Sequence, residues 1–147
     1  MKNDIILIVE PNLLEISKAK KVFEKQGSYI FVAENISYAQ SALKMTSFFS
    51  AAVVEIFTPL TTLLPSSYNK NPLGLVLAEK CLELNIPCLL IYKSNFIEDL
   101  RKIQGFISTM EGNKNCKQKS IPLLSKDEGW EKIIAKVIEL ININNKH

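Results

Sequence analysis

The chain has 147 residues, 47% of them apolar and 22% charged, enough for one buried core and too few for two ordinary domains. Its formal charge of +3 is spread among acidic residues along the whole length, which argues against wholesale disorder and against a dedicated nucleic-acid binder. No apolar run approaches the roughly 20 residues of a membrane-spanning helix, and the short run after Met1 lacks the features of a secretion signal, so a cytoplasmic protein is expected.

Ile5–Val9 is short, continuous and rich in β-branched residues, the pattern of a strand buried on both faces of a parallel sheet, and predicts β1. Asn12 precedes Leu13, Leu14, Ile16, Val22 and Phe23, with Glu15 three positions on, so it caps a helix, α1, ending near Gly27. Tyr29–Ala33 predicts β2. Ser37, with Gln40 three residues later, forms a capping-box signature for α2, a helix from 37 carrying Ala39, Ala42, Leu43 and Met45. Residues 51–57 form a third buried run, β3, with Glu55 near its C-terminal end and Pro59 as its stop. Residues 74–84 place Leu75, Leu77, Ala78, Cys81, Leu82 and Leu84 at helical spacing (α3), and Cys88–Tyr92 follows as β4 after Pro87. Residues 96–106 read as α4, 121–124 as a short edge strand β5, and 130–141 as an amphipathic α5 capped by Asp127 or Ser125.

This alternation predicts an α/β domain over 1–147: a (βα)5, flavodoxin-like, doubly wound parallel sheet of five strands with helices on both faces. Two stretches fit no element, a Thr/Ser/Pro/Asn-rich loop at 60–73 and a basic loop at 108–120. In such open sheets the chemistry sits beyond the carboxyl ends of the strands, here Glu10-Pro11, Glu34-Asn35, Glu55 to Pro59, Tyr92 to Ser94 and Ser125 to Asp127. There is no glycine-rich phosphate loop after β1, no Gly-x-Ser-x-Gly elbow, and the one histidine, His147, is terminal. Cys81, Cys88 and Cys116 include no Cys-x-x-Cys pair, so free thiols are expected in place of a disulfide framework or zinc site. No catalytic residue, cofactor or metal is expected.

Taken in order, Ile6 to Asn12, Glu55 to Pro59, Gly74 opening α3, Pro87 before β4 and Lys126 after β5 resemble the receiver domain of two-component response regulators, across nearly the whole chain. The resemblance implies a site built from an acidic pair that holds Mg²⁺, a phosphoacceptor Asp, a Ser or Thr after β4 and a Lys after β5. This sequence has Glu10 at the first acidic position, Pro11 at the second, Glu55 as acceptor, Tyr92 in place of the hydroxyl, and Lys126 as the one outright match. Pro11 removes a carboxylate and has no N–H of its own. The extra methylene of Glu55 displaces the reacting oxygen by about 1 Å, enough to cost on the order of 10²-fold. The bland readings stay open beside this: Glu55 as a polar strand end, Lys126 as a surface lysine, Tyr92 as a core-closing ring, Glu10 as the charge that ends β1.

The reading that follows is a degenerate, non-phosphorylatable pseudo-receiver in signal transduction. It is not an enzyme, and it pairs with a protein partner or a second copy through α4, β5 and α5, with Leu100, Ile103, Phe106 and Trp130 as candidate contacts. An alternative is a small-ligand sensor pocket at the strand ends under the 60–73 loop, using Leu63, Leu64 and Tyr68. A third and weaker one is nucleic-acid contact through Lys114, Lys117 and Lys119.

Overall fold

In the computed structural model, which describes residues 3–45, 48–62, 71–93, 100–112 and 117–145, the strands form one sheet in the order β2-β1-β3-β4-β5. Every neighbouring pair is parallel. The strands are β1 (Ile5–Val9), β2 (Tyr29–Ala33), β3 (Ala51–Glu55), β4 (Cys88–Tyr92) and β5 (Leu123–Ser125); the helices are α1 (Leu13–Lys25), α2 (Ile36–Met45), α3 (Gly74–Glu83), α4 (Leu100–Glu111) and α5 (Trp130–Asn145). This is the predicted doubly wound α/β sheet. Parallel strands need crossover helices, which fall on both faces and leave the central strands no wet side.

Side-chain alternation divides the core in two. Leu7, Val9, Ala52, Val54, Cys88 and Leu90 point to one face, where α2, α3 and α4 cover them. Ile6, Ile8, Ala51, Val53, Leu89 and Ile91 point to the other, against Ala19 and Phe23 of α1 and Trp130, Ile133, Ile134 and Val137 of α5. The sheet has two edges, β2 and β5. On β2, Tyr29 and Phe31 stay 64% and 47% exposed, and Phe31 meets Phe49 edge-on at 5.9 Å.

Several boundaries move for reasons of local hydrogen bonding. Asn12 caps α1 as expected, its Oδ1 accepting from the N–H groups of Leu14 and Glu15 at 2.9 and 3.1 Å. The capping box at Ser37 and Gln40 is not used, because Asn35 Oδ1 already accepts from Tyr38 N at 2.8 Å and α2 opens at Ile36. β3 ends at Glu55, two residues before the predicted 57, as the chain turns into the Thr58 region. α4 runs to Glu111 and so takes in the start of the segment read as a basic loop at 108–120. β5 falls at 123–125 and not 121–124. Ser125 Oγ accepts from Asp127 N and so starts a 3₁₀ turn, Lys126–Glu128, ahead of α5, which begins after Gly129 at φ +97°.

Residues 63–70, including Leu63, Leu64 and Tyr68 of the suggested pocket, lie outside the described residues, as do Lys114 and Cys116; Lys117 and Lys119 are exposed. Cys81 and Cys88 are free and buried. Among the described residues no helix is long and apolar enough to cross a membrane.

Gly74 fixes α3 against the sheet. Its N–H donates to Ile56 O at 2.8 Å, and a Cβ there would lie 2.6 to 2.9 Å from the backbone of Glu55 and Ile56, closer than van der Waals contact permits. Gly74→Ala is therefore expected to destabilise the fold by about 2 kcal/mol, as an overpacked core site does, measured by urea denaturation. Gly105, which has open space around its Cβ position, is the control: Gly105→Ala should leave the midpoint unchanged or raise it.

Candidate functional site

Strand parity decides which side chains meet beyond the carboxyl ends of the sheet. Glu10 continues the alternation of Ile6 and Ile8, and Glu55 that of Ala51 and Val53, so both carboxylates take the α1/α5 side. Lys126 enters from the other end of the chain, because the 3₁₀ turn after β5 aims it inward. Glu10 is fully buried, Glu55 is 3% exposed and Lys126 6%.

The geometry within this trio is uneven. Lys126 Nζ donates to Glu10 Oε1 at 2.8 Å and lies 3.8 Å from Glu55 Oε1. Glu10 Oε2 accepts from Asn12 N at 3.0 Å, so both of its oxygens are engaged. Of the two carboxylates, Glu10 is the short partner of Lys126. Lys126 is also no surface lysine, which sets aside the bland reading of that residue.

Burial raises the pKa of both carboxyls, since charge is poorly solvated there. For Glu55 desolvation pushes the pKa from its ordinary 4.5 up to about 7, against the pull of Lys126, with the neighbouring Glu10 charge adding to the rise and the Phe57 N–H and Lys93 opposing it. Glu10 is also raised by desolvation, opposed by the Lys126 charge and hydrogen bond and by Asn12 N–H.

The backbone beneath Glu55 is pinned. Ile56 N donates to Ile91 O at 3.0 Å, Thr58 N to Glu55 O at 3.2 Å, and buried Thr58 Oγ1 to the same carbonyl at 2.7 Å. Thr58 lies within the 55–59 stretch singled out in the sequence, but its role in holding the Glu55 carbonyl was not read there.

Other predicted residues sit elsewhere. Pro11 is half-buried between Glu10 and Asn12. Tyr92 shares the parity of Leu90 and packs on the α2/α3/α4 cluster, away from the carboxylates, so it acts as a core-closing ring. Ile103 and Trp130, named as partner contacts, are 2% exposed each and belong to the core; Leu100 is half-buried and Phe106 is 59% exposed. Trp130 Nε1 donates to Glu15 Oε2 at 3.3 Å, fastening α5 to α1. Phe106 lines an apolar groove of about 430 Å³ between α3 and α4, with Val76, Leu73 and Met110.

The trio does not fit Mg²⁺, the ion that the receiver layout implies. Mg²⁺ requires an octahedron of oxygens at short range. Here the second acidic position is Pro11, both Glu10 oxygens are committed, and the Lys126 ammonium lies against the carboxylate that would ligate. What the arrangement can do is hold charge: two carboxyls and one ammonium, with a proton as the remaining variable.

No family model matches the chain and no curated protein is similar to it. Solved structures are. A receiver domain protein from Methanospirillum hungatei JF-1 superposes with a TM-score of 0.68 at 17% identity, covering 99% of this chain and 98% of that one. The receiver domain of a sensor histidine kinase from Pseudomonas aeruginosa PAO1, with a magnesium ion coordinated in its active-site cleft, gives 0.65 at 12% identity over 95% and 98%. A structure of adenylate cyclase from Rhodopirellula baltica gives 0.69 at 17% over 97% and 90%. At these identities the likeness establishes the receiver-type fold.

Lys126→Met leaves two buried carboxyls with no cation, and breaking a buried pair from one side typically costs about 3–5 kcal/mol. That loss is expected at about pH 8 and should shrink at about pH 5, where carboxyls already raised take up protons in the folded state. Urea denaturation at both pH values measures it; a loss that is the same at both would mean that the carboxyls do not stay buried in the variant.

Proposed function

We propose that this chain is a signalling module on the receiver fold that works without phosphoryl transfer and without enzymatic turnover, through contact with a protein partner. The observation that carries the reading is the Lys126 Nζ to Glu10 Oε1 contact of 2.8 Å: the ammonium neutralises the carboxylate that a metal-dependent receiver would give to its ion. Phosphoryl transfer depends on positioning and on neutralising charge at the acceptor, and metal ions supply much of the latter. Pro11 offers no ligand, and Glu55, with a raised pKa, is a poor anionic nucleophile at neutral pH.

With the acceptor chemistry removed, the fold keeps what a contact module needs. The helices pack rigidly on both faces of the sheet, and the α4–β5–α5 side remains the surface through which a partner or second copy would pair. On it Leu123 and Leu124 of the β5 edge are half-buried, and Phe106 is exposed on the neighbouring side of α4, toward α3. Aromatic and aliphatic groups of this kind at a surface are the usual anchors of protein contacts.

Incubating the protein with acetyl phosphate and Mg²⁺ is expected to give no phosphoryl adduct by intact-mass spectrometry, and no movement of the Glu10, Glu55 or Lys126 resonances when beryllofluoride is added. A stable adduct, or a concerted shift of those resonances, would overturn the reading.

A further inference from the structure

We propose that Glu55 exchanges a proton with solvent, and that its ionisation decides whether Lys126 stays on Glu10 or is drawn across to β3 together with the Lys126–Glu128 turn. The inference rests on the reading of the site as one without phosphoryl transfer, and it supplies that site with an input.

The argument starts from counting charge. Two carboxyls and one ammonium, each no more than 6% exposed, leave one negative charge unmatched if both acids ionise. An unmatched buried charge is costly, and taking up a proton is the cheaper outcome. Hydrogen bonding selects the acid that carries it. Glu10 accepts from Lys126 Nζ at 2.8 Å and from Asn12 N at 3.0 Å, both of which favour its anion. Glu55 has Nζ only at 3.8 Å, and the Phe57 N–H.

Among the described residues, the charged groups around Glu55 are few. Glu10 faces it from β1, Lys126 from the 3₁₀ turn and Lys93 from the end of β4. Glu15 of α1 acts on Glu10 and is held by Trp130 Nε1 and, at 3.6 Å, by Lys18. Asp127 and Glu128 of the turn are exposed, and α3 meets the strand end through Gly74, which has no side chain. A cleft of about 480 Å³ between α1 and α5, lined by Glu15, Lys18, Lys126, Asp127 and Trp130, opens onto Lys126, the group that contacts both carboxyls.

The consequence of ionisation follows from where Lys126 sits. While Glu55 is neutral, the ammonium has one anion, Glu10. Once Glu55 ionises, a second anion pulls on the same Nζ from 3.8 Å away. Lys126 opens the turn that Gly129 joins to α5, and Trp130, the first residue of α5, is tied to α1 through Glu15. Movement of Lys126 therefore reshapes the cleft between α1 and α5. The unfolded carboxyl titrates at its ordinary 4.5 and the folded one at about 7. The folded state thus binds the extra proton between these values, and the stability it provides is complete below pH 4.5 and lost as the pH rises through 7.

Side-chain carboxyl ¹³C and backbone amide NMR on the full chain, titrated from about pH 5 to about pH 8.5 without Mg²⁺ or phosphodonor, tests this. The expected result is a Glu55 carboxyl midpoint near 7, matched by the amides of Lys126 and Gly129 and by the Trp130 indole, with Glu55→Gln abolishing all of them. A Glu55 midpoint below about 5 overturns the proposal, since that is the range of an ordinary carboxyl. So does titration of Glu55 while Lys126, Gly129 and Trp130 stay still, or shifts that survive in Glu55→Gln. Should Glu55→Gln fail to fold, the urea midpoint of the wild type decides: a fall between about pH 5 and about pH 7 supports the proposal, and a flat or rising midpoint overturns it. Acetyl phosphate and Mg²⁺ added last separate the two ideas, because an adduct on Glu55 sinks the reading without phosphoryl transfer and leaves the titration result standing.

Discussion

One ammonium holds the functional end of this sheet together. Lys126 Nζ bonds Glu10 across a sequence separation of 116 residues and joins the end of β1 to the turn that follows β5. Both groups are almost wholly removed from water, and a pair of this kind is weak as a source of net stability and strong as a constraint on geometry. Everything at the strand ends is arranged relative to it: Asn12 N–H takes the second oxygen of Glu10, Glu55 lies within reach of the same nitrogen, and Thr58 and Gly74 fix the backbone below Glu55.

The strands were the most readable part of the sequence. β1, β2 and β4 fall at the residues their apolar runs indicate, because a parallel sheet buried on both faces demands continuous hydrophobic segments with little else to imitate them. Boundaries set by hydrogen bonds were harder. Asn35 and Ser37 both have a plausible partner three residues on, and only the structure shows that Asn35 takes the cap. Residues from 108 on were read as loop, yet Ile103, Ile107 and Met110 keep a helical stripe on the core, and Glu111 accepts from Ile121 N at 2.7 Å. The β5 register moved because the Gln118 side chain occupies both the N–H and the carbonyl of Cys88, at 2.7 and 2.8 Å, doing the work of a strand neighbour just before the true strand begins.

The site was legible in its identities and less so in its pairing. Glu10, Glu55 and Lys126 converge because each stands at the carboxyl end of a parallel strand, and that much follows from topology. Which acid holds the lysine does not follow, since it depends on the direction given to Lys126 by the 3₁₀ turn. Tyr92 was grouped with the acids through its position after β4. Counting from Leu90 would have sent it to the opposite face, but β4 is apolar on both sides and gives no alternation to count from. The same ambiguity hid Ile103 and Trp130, whose chemistry suits a contact surface and a core equally well.

The long span of the Glu10–Lys126 bond also sets an order on assembly. A ribosome delivers both acids well before it delivers the base, so a nascent chain that has reached β4 carries the carboxyls of Glu10 and Glu55 with no cation to receive them. The middle of the sheet, β1 against β3, can pair early through apolar residues alone, while its upper rim stays wet. Closure waits for the segment that carries Lys126, and the docking of α5 and the drying of the rim become one event.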